Sequence, residues 1–185
     1  MRKVVILVGT FFLFAGFAAA QIPTGGNVYF GYTYYNTNLS VGRDNLNGWE
    51  GSLEGKLFPF LGIVADFAGH YGSLNFPSPA GTCAIGVVCS PVNANAHVYE
   101  ALFGPRLSMP VGKFRPFGEF EIGVGHVTTA GFGSDTSYAT AVGGGLDYTI
   151  VRPVALRFQG DYVRTRFFSR AENNLRLSTG IVLRF

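Results

Sequence analysis

The sequence predicts an all-β fold, an eight-stranded antiparallel up-and-down transmembrane β-barrel. Three observations carry that expectation. Apolar and polar residues alternate with a period of two in eight segments, and a helical 3.6-residue period is missing. Glycine is abundant at 26 residues, beside 18 Phe and 9 Tyr. After residue 20 the chain has no apolar run long enough to cross a bilayer as a helix, although 48% of its residues are hydrophobic.

The elements follow in chain order. "MRKVVILVGTFFLFAGFAAA" places two cations before a short apolar run and ends on Ala18-Ala19-Ala20, the layout of a cleavable secretory signal peptide. Residues 1–20 are therefore expected to leave, and 21–185 to form one barrel domain. The 14 Lys and Arg face 11 Asp and Glu; cleavage removes Arg2 and Lys3 and leaves a net charge of +1. That balance has no basic tract and carries no nucleic-acid footprint.

Strands are expected near 27–36, 47–58, 61–71, 94–107, 116–128, 137–148, 153–166 and 174–185. The connections at 59–61, 108–115 and 150–152 are mostly short. Those at 37–46, 72–93, 129–136 and 167–173 are more polar. Short turns on one side and longer loops on the other describe a meander.

One strand face is apolar, with residues such as Phe30, Leu53, Phe67, Phe103, Phe120, Ile122, Val142 and Phe158. The opposite face carries Glu50, Glu54, Lys56, Asp66, His70, Glu100, Arg106, Glu119, Glu121, Asp147, Arg157, Asp161, Arg176 and Arg184. The remaining acids, Asp44, Asp135 and Glu172, are assigned to loops. A soluble calyx turns its apolar face inward, and a membrane barrel turns it out to lipid.

Three features favour the membrane. The strands read as about ten residues long, which fits a tilted crossing. The polar exceptions on the apolar face, His97, His126 and Arg164, fall at the long-loop ends, where a charge costs about 0–1 kcal/mol instead of 2–4 at midplane. Aromatic residues crowd both ends as candidate girdles: Trp49, Tyr71, Tyr138 and Phe167 at one rim, Phe58, Phe117, Tyr148 and Phe185 at the other.

The last strand, "NNLRLSTGIVLRF", alternates up to a terminal aromatic. It resembles the C-terminal assembly signal of bacterial outer-membrane barrel proteins, with Phe185 as its key residue. Residues 27–185 as a whole resemble the transmembrane domain of the OmpA-like barrel family. "VYFGYTYYNTN" is similar to that family's first strand. "EALFGPRLSMPVGKFRPFGEFEIGVGH" is similar to its fourth and fifth strands with their periplasmic turn. The resemblance implies a monomeric integral barrel of the bacterial outer membrane, inserted by the barrel-assembly machinery and solvated by outer-membrane lipid. OmpA itself continues into a peptidoglycan-binding domain. This chain stops at Phe185, so that activity is not expected here.

An eight-stranded interior is just wide enough for side chains to fill. The charged set from Glu50 to Arg184 is accordingly read as a lumen ion-pair network, because unpaired buried charges are costly. Gly123, Gly125, Ala139, Ala141, Gly143 and Gly145 leave room there for water or long arginines, or serve close packing. The expected role is structural or surface-interacting, with an extracellular ligand that the sequence does not specify. The alternative is a narrow ion- or solute-conducting pore.

A lipid A-modifying enzyme is a weaker third reading. It would pair a rim histidine with Ser73 or Ser137, and no local motif surrounds them. No enzyme activity, metal or cofactor is expected. Cys83 and Cys89, the two cysteines, flank "AIGVV" in the longest loop; export through an oxidising compartment predicts a disulfide between them.

Overall fold

The computed structural model describes residues 25–38, 43–76, 92–131 and 133–185. The leader and the Cys83–Cys89 pair lie outside the described residues. Eight strands are present: β1 (Gly26–Thr37), β2 (Asp44–Lys56), β3 (Leu61–Phe76), β4 (Val92–Ser108), β5 (Phe114–Thr129), β6 (Gly133–Val151), β7 (Val154–Thr165) and β8 (Glu172–Arg184). Each pairs antiparallel with its sequence neighbours, and β1 pairs with β8 to close the barrel. The seam runs from Asn27 opposite Arg184 to Asn36 opposite Leu175. Beyond it, the Phe185 N–H donates to the Gly26 carbonyl at 3.1 Å, and the Gly26 N–H returns a bond to Phe185 at 3.0 Å. Closure leaves no ladder edge, which a hydrocarbon environment requires because it offers no water to unpaired backbone groups.

Several strands are longer than the ten residues expected. β3, β4, β5 and β6 hold 16, 17, 16 and 19 residues. The extra length lies mainly at the long-loop end, where β3 and β4 pair as far as Phe76 and Val92. The expected contrast fades there because the outward face turns polar, at Ser73, Asn93 and Asn95, while the inward face turns apolar, at Leu74, Ala94 and Ala96, and the backbone ladder continues. Asp44, Asp135 and Glu172 consequently sit in β2, β6 and β8 rather than in loops. The β5–β6 connection shrinks to 130–132.

The apolar face points outward. Phe30, Leu53, Phe67, Phe103, Phe120, Ile122, Val142 and Phe158 are all exposed, and His97 and Arg164 share that face near the long-loop rim. Trp49, Tyr71 and Tyr138 form part of one aromatic belt. Its members touch: Trp49 Nε1 donates to the Tyr71 hydroxyl at 3.3 Å, and Tyr71 meets His97 and Tyr99 edge-on. Phe58, Tyr148 and Phe185 lie exposed at the opposite rim.

Two expected girdle residues point the other way. Phe117 shares the parity of Glu119 and Glu121 and is buried inside. Phe167 has no exposed surface. It sits in a one-turn 3-10 helix, Phe167–Ser169, whose Phe168 adopts φ 48°. This left-handed residue turns the chain over the rim, so that Phe167 drops into the lumen while Phe168 stays exposed.

Candidate functional site: the lumen network and its two mouths

The inward residues form three tiers. The middle tier is built around Arg176 on β8, a fully buried side chain. Its Nη1 lies 2.9 Å from Asp66 and 3.4 Å from Glu100, and its Nη2 lies 3.0 Å from Asp161. Glu50 is 3.6 Å from Nε, and Glu121 is 4.0 Å from Nη2. Those carboxylates come from β2, β3, β4, β5 and β7, so one guanidinium links β8 to most of the barrel wall. A planar fork with five N–H donors suits this convergence; an ammonium has three.

Uncharged partners complete the tier. Gln159 Nε2 donates to Glu50 at 3.1 Å and to Asp161 at 2.9 Å. The Ser178 hydroxyl donates to Glu50. Tyr35 donates to Glu100 at 2.8 Å and accepts from Asn174 at 2.9 Å. Neither oxygen of Glu121 has a hydrogen-bond partner among the described residues.

The tier nearest the short turns is richer in cations. Glu54 pairs with Lys56 and Arg106 and accepts from Asn27 at 2.7 Å. Arg106 Nε donates to Glu119 at 2.6 Å. Arg157 grips Asp147 through two bonds of 2.7 and 3.1 Å, and Arg184 reaches the same carboxylate at 3.3 Å. Phe117 lies between the guanidinium groups of Arg106 and Arg157, each 4.6 Å from its ring centroid. Such contacts let two buried arginines face one ring without a water shell.

The tier nearest the long loops is apolar, which the sequence reading of a polar lumen did not anticipate. Tyr35, Leu46, Leu74, Val98, Leu102, Val127, Val163 and Phe167 cluster there with Ala96, Ala139 and Ala141. Small inward residues serve packing in this tier and in the one nearest the short turns. A Cβ on Gly125 would lie 2.9 Å from the Phe167 ring, and one on Gly145 would lie 2.8 Å from the Phe117 ring. The space that glycine leaves at those two positions is taken by aromatic rings.

Each of the thirteen charged residues expected in the network lies within 4.0 Å of an oppositely charged group; eleven are buried, and Lys56 and Arg184 are half-buried. His70 is buried with them, its ring tilted against that of Tyr35 at 4.2 Å between centroids, and it forms no ion pair among the described residues. Missing from the expected set were Tyr35, Gln159, Asn174 and Ser178, although strand parity already placed them inward. Ser73 bonds to Asn95 and Ser137 to the Tyr138 carbonyl; among the described residues neither hydrogen-bonds to a histidine. His126 instead bonds to Thr136 and Thr128.

No family model and no curated protein matches the chain. Solved structures do. Neisserial surface protein A matches with a TM-score of 0.67 at 14% identity, covering 86% of this chain and 97% of that one. OprG, an outer membrane protein of Pseudomonas aeruginosa, matches at 0.60 and 10% identity, covering 87% and 95%. Ail, the attachment invasion locus protein of Yersinia pestis, matches at 0.58 and 15% identity, covering 87% and 98%. The likeness establishes the shared eight-stranded barrel fold.

Proposed function

We propose that this chain is a small integral barrel of a bacterial outer membrane, with a structural or surface-interaction role and a closed lumen. The observation that carries the reading is the middle tier. Arg176 and its carboxylates bridge opposite walls, beneath an apolar layer finished by Phe167. A solute would have to break this buried network, and removing one partner from such a network costs about 3–5 kcal/mol. The outward apolar band with an aromatic belt supports residence in lipid.

Surface interaction draws support from what the similar folds are called, a Neisserial surface protein and an attachment protein. A narrower placing among OmpA-like barrels rests on the resemblance of residues 100–126 and the last strand. On that placing the chain acts as a non-enzymatic monomer delivered by the assembly machinery, with Phe185 as its signal.

Planar-bilayer recording of the refolded protein tests the reading. The expected result is no discrete opening while the protein still shows a heat-modifiable folded band. A narrow cation path is the second reading. It is favoured by Glu121, whose carboxylate is unbonded in a tier with one guanidinium. Discrete cation-selective openings abolished by Glu121→Gln would establish it instead.

A further inference from the structure

We propose that the short-turn mouth of the barrel is a binding site for a phosphoryl group. A cavity of about 610 Å³ opens there between the β4–β5 and β6–β7 turns. Lys113, Arg115, Arg152 and Arg184 line it. The neighbouring side-chain carboxylates are already engaged: Glu54 by Lys56 and Arg106, Glu119 by Arg106, Asp147 by Arg157 and Arg184. Lys113, Arg115 and Arg152 therefore have no ion-pair partner among the described residues.

Arg115 is the informative one. It is half-buried, and its Nε is shielded from solvent without a hydrogen-bond acceptor. Arg184 presents a second such Nε in the same cavity. Arg184 is anchored through Nη1 to Thr149 at 2.8 Å and through Nη2 to Asp147 at 3.3 Å, so its Nε and that of Arg115 are the unmet donors, and a multidentate anion between the two like charges serves both. Arginine forks match phosphoryl oxygens in spacing and plane.

The wall beside the cations consists of Phe114, Ile150, Val151 and Phe185, all exposed on the outward face. The cavity is thus amphipathic, with donors on one side and a lipid-facing apolar wall on the other. Inorganic phosphate and the headgroup of an anionic phospholipid share the chemistry it selects. The lipid source alone rests on the membrane reading above.

The test uses the folded protein in uncharged maltoside micelles, with folding checked by heat-modifiability. Calorimetric titrations are run with inorganic phosphate and, separately, with short-chain phosphatidylglycerol. Saturable binding weakened at least tenfold by Arg115→Gln supports the site. If both ligands bind, the phosphoryl group suffices; if only the lipid binds, the apolar wall contributes. Should Arg115→Gln fail to fold, Lys113→Gln/Arg152→Gln takes its place, since both side chains are exposed and form no ion pair among the described residues. Arg166→Gln/Arg170→Gln at the opposite rim is expected to bind as the native protein does. No saturable binding by either ligand, or binding lost only in that opposite-rim variant, overturns the proposal. Membrane residence is read separately from insertion into lipid, so its failure does not mimic the failure of the site.

Discussion

Arg176 is the residue on which most of the interior converges. Its contacts with Asp66 and Asp161, at 2.9 and 3.0 Å, are made between fully buried side chains. Arg176→Met keeps much of the volume and strands several buried carboxylates. Its expected cost is about 3–5 kcal/mol in a reversible urea unfolding experiment in lipid. Arg176→Lys should recover only part of that, because an ammonium cannot reach the same set at once. A loss below about 1 kcal/mol for Arg176→Met would show that the tier is held by something else. Phe117 and Phe167 show what strand reading misses at this scale. Both are large aromatics near strand ends, the usual mark of a girdle. Phe117 is inside by parity alone. Phe167 is inside because Phe168 takes a left-handed conformation, which no periodicity reveals.

At the scale of the strand, the two faces make opposite demands on adjacent residues. Phe158 is exposed on the outer face of β7, and Gln159 is buried beside Glu50 and Asp161. Phe158→Arg should destabilise the barrel by about 2–4 kcal/mol, the cost of an arginine at the lipid midplane. Gln159→Arg brings a cation into a carboxylate-rich tier and should cost less. Equal losses in the same unfolding assay would reverse the face assignment. The existence and order of all eight strands were legible because each carries an unbroken apolar face over its central residues. Their long-loop ends were not, since the outward face turns polar there while the inward face turns apolar, and the pattern loses its contrast. That is why Asp135 and Glu172 read as loop residues although both sit in the ladder.

For the whole molecule, stability depends on closing β1 against β8. Phe185 adds two backbone bonds beyond the last paired strand residue and an exposed ring at the short-turn rim. Deleting it removes both bonds, each worth about 0.5–1.5 kcal/mol net. Export should be unchanged while the yield of inserted, heat-modifiable barrel falls. Normal insertion of the shortened chain would remove Phe185 from any role in assembly. The inward placement of the lumen charges was legible from strand parity. Their division into tiers was not, because depth along the axis depends on register, which is set by pairing between strands.

The same seam has a consequence for the order of events during biogenesis. Every other neighbour of a strand is adjacent in sequence, so seven hairpin contacts can form as the chain arrives. The β1–β8 ladder joins residues such as Val28 and Leu183 from opposite ends of the domain. Until β8 is in place, β1 carries an open edge able to template pairing with any other extended chain. The slowest contact to search for is therefore also the one that ends this exposure. Whatever holds the nascent chain in transit must shield that first strand until the eighth is delivered.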